Sequence, residues 1–278
     1  MRYPNKKSVC FLFLIISVFS YRLIFPQTKA DKIDALLNQY YKFQEFNGAV
    51  LVAEEGKVIY KNGFGMANME WNIPNTPDTR FRLGSITKQF TAMLIMHLVE
   101  EGKLKLNVPI KTYIPDYPKE QGEKVTIHQL LTHTSGIPNY TDQPSFASIM
   151  RNPITPIDLI KTFWNLSLEF KPGAKFKYSN SGYIVLGYII EKITGKTYEE
   201  MLKEKIFEPL GMKNSGYDHP ADIIPKRASG YNKIGTDYFN TQYIDMSVPF
   251  SAGSIYSTVE DLFLWDQALY TSRLLSKK

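Results

Sequence analysis

The sequence predicts an α+β fold. Three observations point to it: an alternating apolar pattern that reads as a strand pair, a proline-broken helical middle, and a tail of loops and capped helices. Strand-like and helix-like segments are segregated along the chain rather than interleaved. That order suits an antiparallel sheet flanked by helices, with residues of about 105–170 as a helical subdomain on one side. The 278 residues are 44% hydrophobic and 22% charged, enough apolar surface for a large core and unlike a disordered or collagen-like chain.

The first segment reads as a targeting signal. Arg2, Lys6 and Lys7 precede the apolar run Val9 to Phe19 and then Ser20, so residues 1–20 resemble a secretory signal peptide and imply export to the periplasm or the cell exterior. The alternative is an uncleaved anchor reaching about residue 25, because Leu23, Ile24 and Phe25 continue the apolar character past Arg22. Membrane attachment is expected only in that second case.

Residues 31–46 place Ile33, Leu36, Leu37, Tyr40, Tyr41 and Phe43 at helical spacing. The period then changes. Gly48 to Ala53 and Lys57 to Phe64 alternate as strands joined by Glu54-Glu55-Gly56, an antiparallel hairpin. Pro74, Pro77 and Asp78 mark a loop, and a short extended run Phe81-Arg82-Leu83 leads into a helix from Ser85 to about Glu101, with Gly102 as its C-terminal cap. Thr126 caps a short helix to Leu131, while Pro138, Pro144, Pro153 and Pro156 break the chain repeatedly after it. After the Pro172-Gly173 turn, Tyr183 to Ile193 is an apolar helix stopped by Gly195. Thr197 and Glu200 form a capping box for a helix to about Phe207. Residues 211–256 read as loops with short strands at most. Ser257 and Glu260 suggest a second capping box for a last helix to about Tyr270.

Composition removes several functions. Cys10 is the only cysteine and lies in the export segment, so neither a structural disulfide nor thiol chemistry is expected. Loss of the three basic residues of that segment lowers the formal charge from +6 to +3, which removes the main support for nucleic-acid binding. His97, His128, His133 and His219 show no metal-binding spacing, so neither a metal nor another cofactor is expected.

The chemistry concentrates at Ser85 and Lys88. Three residues apart on one helical turn, they bring a hydroxyl and an amine within reach of proton transfer, the requirement for a serine nucleophile. Tyr178 and Asn180, after the Pro-Gly turn and at a helix start, offer a phenol and an amide from a rigid corner. Other Tyr-x-Asn instances, at Tyr3, Tyr60 and Tyr238, lack that setting, and Tyr60 is read as a cross-strand packing residue.

Five stretches in fixed order carry a resemblance: 46–52, Phe81 to Thr91 around Ser85-Ile86-Thr87-Lys88, Leu130 to Pro138, Tyr178 to Tyr183, and Ser251 to Thr258. Across roughly residues 45–270 the chain resembles the penicillin-recognising serine hydrolases, the group of class C β-lactamases, D-alanyl-D-alanine carboxypeptidases and related esterases. The resemblance implies a β-lactamase/transpeptidase-like fold and an acyl-enzyme on Ser85. In it Lys88 acts as general base and proton relay, Tyr178 as general acid and base, and Asn180 orients Lys88 and the substrate. The Ser85 N–H would be one oxyanion donor. Substrates so implied are a D-alanine-terminated peptide, a β-lactam or a small ester. His133 is read as a turn-stabilising residue rather than a base. Tyr217, Tyr231, Tyr238 and Tyr243 receive no assignment.

One family element is missing from the sequence. No Lys-Thr-Gly or His-x-Gly comes after the fifth stretch; Lys111-Thr112, Lys161-Thr162 and Lys196-Thr197 all lie upstream and precede Tyr, Phe and Tyr. Residues 31–278 are therefore expected to form an incomplete domain, short of its C-terminal strands and last helix, with low stability and little activity of its own. A non-catalytic, ligand-binding or cell-wall-binding relative of the same fold is the alternative function.

Overall fold

A computed structural model describes residues 27–276. The signal segment 1–20, its extension to 25 and Cys10 lie outside the described residues. In chain order the elements begin with α1 (Lys29–Lys42), β1 (Gly48–Glu54), β2 (Lys57–Phe64), β3 (Met66–Asn68), β4 (Ile73–Pro74) and β5 (Phe81–Arg82). A 3-10 turn (Gly84–Ile86) then opens α2 (Thr87–Glu100). The helical middle holds α3 (Lys119–Gly122), α4 (Ile127–Leu131), α5 (Phe146–Ile149) and α6 (Pro156–Lys161). Next come α7 (Asn180–Thr194), α8 (Tyr198–Leu202), a π turn (Lys203–Phe207) and α9 (Glu208–Leu210). The chain continues through β6 (Gly216–Tyr217), β7 (Tyr231–Ile234), β8 (Asp237–Asn240), α10 (Phe250–Gly253), β9 (Ile255–Ser257) and α11 (Val259–Leu269).

Two apolar helices form the centre. Phe90, Leu94, Ile95 and Leu98 of α2 and Ile184, Val185, Leu186, Ile189 and Ile190 of α7 are closed to solvent. Their spacing places them on facing sides, and burial of a Leu or Ile side chain contributes about 1.5–3 kcal/mol. Phe90 stacks on Trp265 of α11 with ring centroids 4.2 Å apart, which ties the last helix to the same core. Among the described residues no helix is long and apolar enough to cross a membrane.

The strand pair β1–β2 is antiparallel, with Gly48 opposite Phe64 and a bulge between Val52 and Ala53. A second sheet joins segments distant in sequence. β9 lies between β5 and β6, pairing Phe81 with Ser257 and Tyr217 with Ile255. β6 and β9 are two and three residues long and the hairpin strands β7 and β8 four each, so little alternation shows and residues 211–256 read as loops with short strands at most.

Several element boundaries differ from expectation for identifiable reasons. The first helix starts at a Thr28–Asp31 capping box and ends at Lys42 rather than 46, where Gln44 adopts a φ of 56°. Tyr60 does not serve packing alone, because its hydroxyl donates to Asp34 of α1 at 2.7 Å. The helix expected from Tyr183 begins at Asn180. The last helix is capped by Thr258, whose hydroxyl accepts the Asp261 N–H, and not by Ser257. Ser257 is held extended by its pairing with Phe81, and Glu260 faces Lys61. The Asp261 carboxylate instead accepts from the Asn214 N–H and the Ser215 hydroxyl, both at 2.7 Å.

One close approach sets where the site can form. Gly187 lets α7 contact α10, since a Cβ there would overlap the Ser251 hydroxyl and crowd the Phe250 ring. The Ser251 hydroxyl donates to the Tyr183 carbonyl at 2.8 Å and the Thr91 hydroxyl donates to the Ser251 carbonyl at 2.6 Å, so α2, α7 and α10 are mutually pinned. Gly187→Ala is expected to lower stability by about 1–3 kcal/mol through overpacking. Chemical denaturation reads the loss, and an unchanged midpoint would show that α7 and α10 are not held in contact at this position.

Candidate active site

Ser85 reaches solvent because the backbone turns sharply just before it. Gly84 has a φ of +52°, a conformation side chains disfavour, and a Cβ there would meet nothing within 4 Å, so backbone conformation alone calls for glycine. Ser85 therefore lies in a 3-10 turn before α2 rather than capping it. The first donors of the turn are Ile86, to Leu83 O at 3.3 Å, and Thr87, to Gly84 O, which leaves the Ser85 N–H ahead of the ladder.

Lys88, one turn into the helix, is 6% exposed. Its ammonium donates to Ser85 Oγ at 3.1 Å, Asn180 Oδ1 at 2.9 Å and the Ala252 carbonyl at 2.8 Å. Three donors thus meet three neutral acceptors from three elements. The amine also lies 4.9 Å from the Tyr178 ring centroid and 5.5 Å from that of Tyr183. Burial lowers its pKa from 10.5 to about 8, because no partner carries the negative charge that would offset the lost hydration.

Tyr178 completes the cluster. Its hydroxyl is 2.6 Å from Ser85 Oγ and 3.3 Å from Asn180 Oδ1. Four residues from two distant parts of the sequence therefore share one hydrogen-bonded network. Asn180 is held in turn: its N–H donates to Asn139 Oδ1 at 3.0 Å and its side-chain amide to Thr141 Oγ1 at 3.4 Å.

His133 supports Tyr178 from behind. With a φ of 56° it leaves the helical path after α4, and its Nδ1 accepts the Ser179 N–H at 3.2 Å. Its ring lies 4.6 Å from that of Tyr178 and 5.2 Å from that of Tyr183. Burial first, and the Lys88 charge second, push the His133 pKa down. The turn-stabilising reading thus extends to the phenol it stacks on. The Ala252 carbonyl, Asn139 and Thr141 were not identified from sequence. Only the fifth resembling stretch pointed toward Ala252.

The tyrosines left unassigned have distinct roles. Tyr217 is buried with its hydroxyl on the Met246 carbonyl at 3.0 Å, and Tyr231 accepts the Met69 N–H at 2.8 Å. Tyr238 lies in β8, and Tyr243 lines a separate cleft. The Lys-Thr pairs fall in or beside helical segments, at the 3-10 turn of Lys111, the end of α6 and the cap of α8.

Residues 33–278 match the family model described as Beta-lactamase. The chain belongs to this family. A penicillin-binding protein from Bacillus halodurans has a similar structure, with a TM-score of 0.78 and 32% identity over 87% of this chain and 74% of its own. D-amino acid amidase from Ochrobactrum anthropi SV3 aligns at 0.69 and 31% identity, covering 82% and 65%. The teichoic acid D-alanine hydrolase of Staphylococcus aureus is 28% identical over 84% of this chain and 56% of its own. The chain spans 62%, 58% and 56% of the lengths of three curated relatives that it matches. Its α+β architecture is that of the β-lactamase/transpeptidase-like neighbours.

The lowered Lys88 pKa has a consequence for the fold. Below about pH 8 the lysine is protonated both folded and unfolded, whereas between about 8 and 10.5 only the unfolded chain keeps the proton. Folding stability is therefore expected to rise with pH across that window, by on the order of 3 kcal/mol relative to Lys88→Met. Parallel urea titrations of the two proteins check it. Equal pH slopes would place the Lys88 pKa at its ordinary value.

Proposed function

We propose that the protein is an exported serine hydrolase that transfers an acyl group to Ser85 and then to water, with a D-alanyl group as the acyl part. The carrying observation is the Lys88 amine, 3.1 Å from Ser85 Oγ with a pKa lowered to about 8, beside a phenol 2.6 Å from the same oxygen. At neutral pH about one lysine in ten is already unprotonated, a usable fraction for a general base.

Neutral Lys88 takes the Ser85 proton as Oγ bonds to the carbonyl carbon. The carbonyl oxygen becomes an oxyanion facing the Ser85 N–H. Tyr178 gives its proton to the leaving oxygen or nitrogen and takes one back from the Lys88 ammonium that lies beside its ring. The bond to the leaving group breaks and an ester on Ser85 remains. Water then adds to that ester, losing its proton to the same relay, and D-alanine leaves as Ser85 recovers its hydrogen. Asn180 holds Lys88 through Oδ1 in both steps.

Two relatives support the acyl class through their named activities, one on a D-alanine substituent and one on D-amino acid amides. Export rests on the pattern of residues 1–20. A fluorophosphonate probe should label the wild-type chain, and Ser85→Ala should abolish labelling. Tyr178→Phe is expected to slow hydrolysis of a D-alanyl ester about 100-fold or more, as loss of a general acid does. Labelling that survives Ser85→Ala would overturn the assignment of the nucleophile.

A further inference from the structure

A second polar site lies just upstream of Ser85. Asp218 is fully buried and receives two guanidinium groups, Arg82 Nε on Oδ2 at 2.5 Å and Arg227 Nη1 on Oδ1 at 2.6 Å. Two cations on one carboxylate leave one net positive charge, and arginine does not shed a proton to remove it. Among the described residues the two Arg82 Nη atoms and the Arg227 Nε and Nη2 atoms have no protein partner.

These donors open on a cleft of about 760 Å³ walled by β5, residues 227–230 and residues 240–244. Among the described residues its charged lining side chains are Arg82 and Arg227 alone; Ser229, Thr241 and Gln242 add polar groups. The Ser229 hydroxyl accepts the Asn68 amide at 3.1 Å and keeps its own hydrogen to donate, and Gln242 has no partner among the described residues. The neighbouring carboxylates are already engaged: Glu70 accepts from Asn240, and Asp245 from Tyr243 and Ser247. Nearby cations are likewise committed, Arg80 to Asn214 and Lys226 to Asp78.

We infer that this cleft binds the phosphodiester backbone of a polyol phosphate chain, whose acyl substituent Ser85 would remove. A charged, two-arginine edge with amide and hydroxyl donors matches phosphate oxygens, and a volume of about 760 Å³ holds far more than a single ion. Arg82 stands three residues before Ser85, so their Cα atoms are no more than about 10 Å apart, within reach of adjoining repeat units. The choice of substrate rests on the D-alanyl hydrolase reading; the anion site rests on the arginine geometry.

Calorimetric titration of the 278-residue chain with bis(glycerol) phosphate tests it, with acetate and glycerol as comparisons. Saturable one-to-one binding of the diester is expected, weaker at high salt, with at least tenfold lower affinity in Arg227→Gln. Gln242→Glu places a carboxylate in the cleft at an exposed position, leaves the Asp218 pairs intact and should give a similar loss. No saturable binding, diester affinity unchanged in Gln242→Glu, or acetate bound as tightly as the diester would each overturn the proposal. The readout needs no hydrolysis. Binding without release of D-alanine would sink the proposed activity and spare the cleft; release without binding would do the reverse.

Discussion

A lysine amine removed from water must have every N–H answered, and at Lys88 the answers come from three separate elements. The 3-10 turn supplies Ser85 Oγ, α7 supplies Asn180 Oδ1 and α10 supplies the Ala252 carbonyl. Misplacing any one would leave a buried donor unpaired, at about 1–3 kcal/mol or more. The arrangement of α2, α7 and α10 is thus coupled to the chemistry of a single nitrogen. The Gly187 contact and the Thr91 and Ser251 hydrogen bonds are the packing expression of that requirement.

Two cationic sites near Ser85 are treated oppositely. Lys88 meets only neutral acceptors, so burial drives it toward the uncharged amine. Arg82 and Arg227 both pair with one buried carboxylate, that of Asp218. One site is suited to moving a proton and the other to holding an anion. His133 belongs to the first: an imidazole held as an acceptor by the Ser179 N–H adds no second charge beside Lys88.

The hairpin, the capped helices at Thr126 and Thr197 and the α2 and α7 cores were legible because caps and apolar periods are local signals. The four-residue cluster was legible as well, though only jointly, since each fragment alone is a common pattern. The features that escaped were of a different kind. Strands β6 and β9 hold two and three residues, and no period shows in so few. The cap at Thr258 in place of Ser257 depended on a cross-strand pairing invisible from neighbouring residues. Asp218 and Arg227 lie outside the five resembling stretches, and only the folded chain brings them to Arg82.

The Ala252 carbonyl carries a consequence for how the protein tolerates change. Ser85 and Asn180 contribute side-chain atoms, so a single codon change can delete either acceptor. The oxygen at position 252 belongs to the main chain and survives every substitution there that fits the buried space. Drift can therefore alter the identity of residue 252 while the lysine keeps its anchor. Only a shift in the path of the backbone, through α10 or the residues that pin it, can take that anchor away.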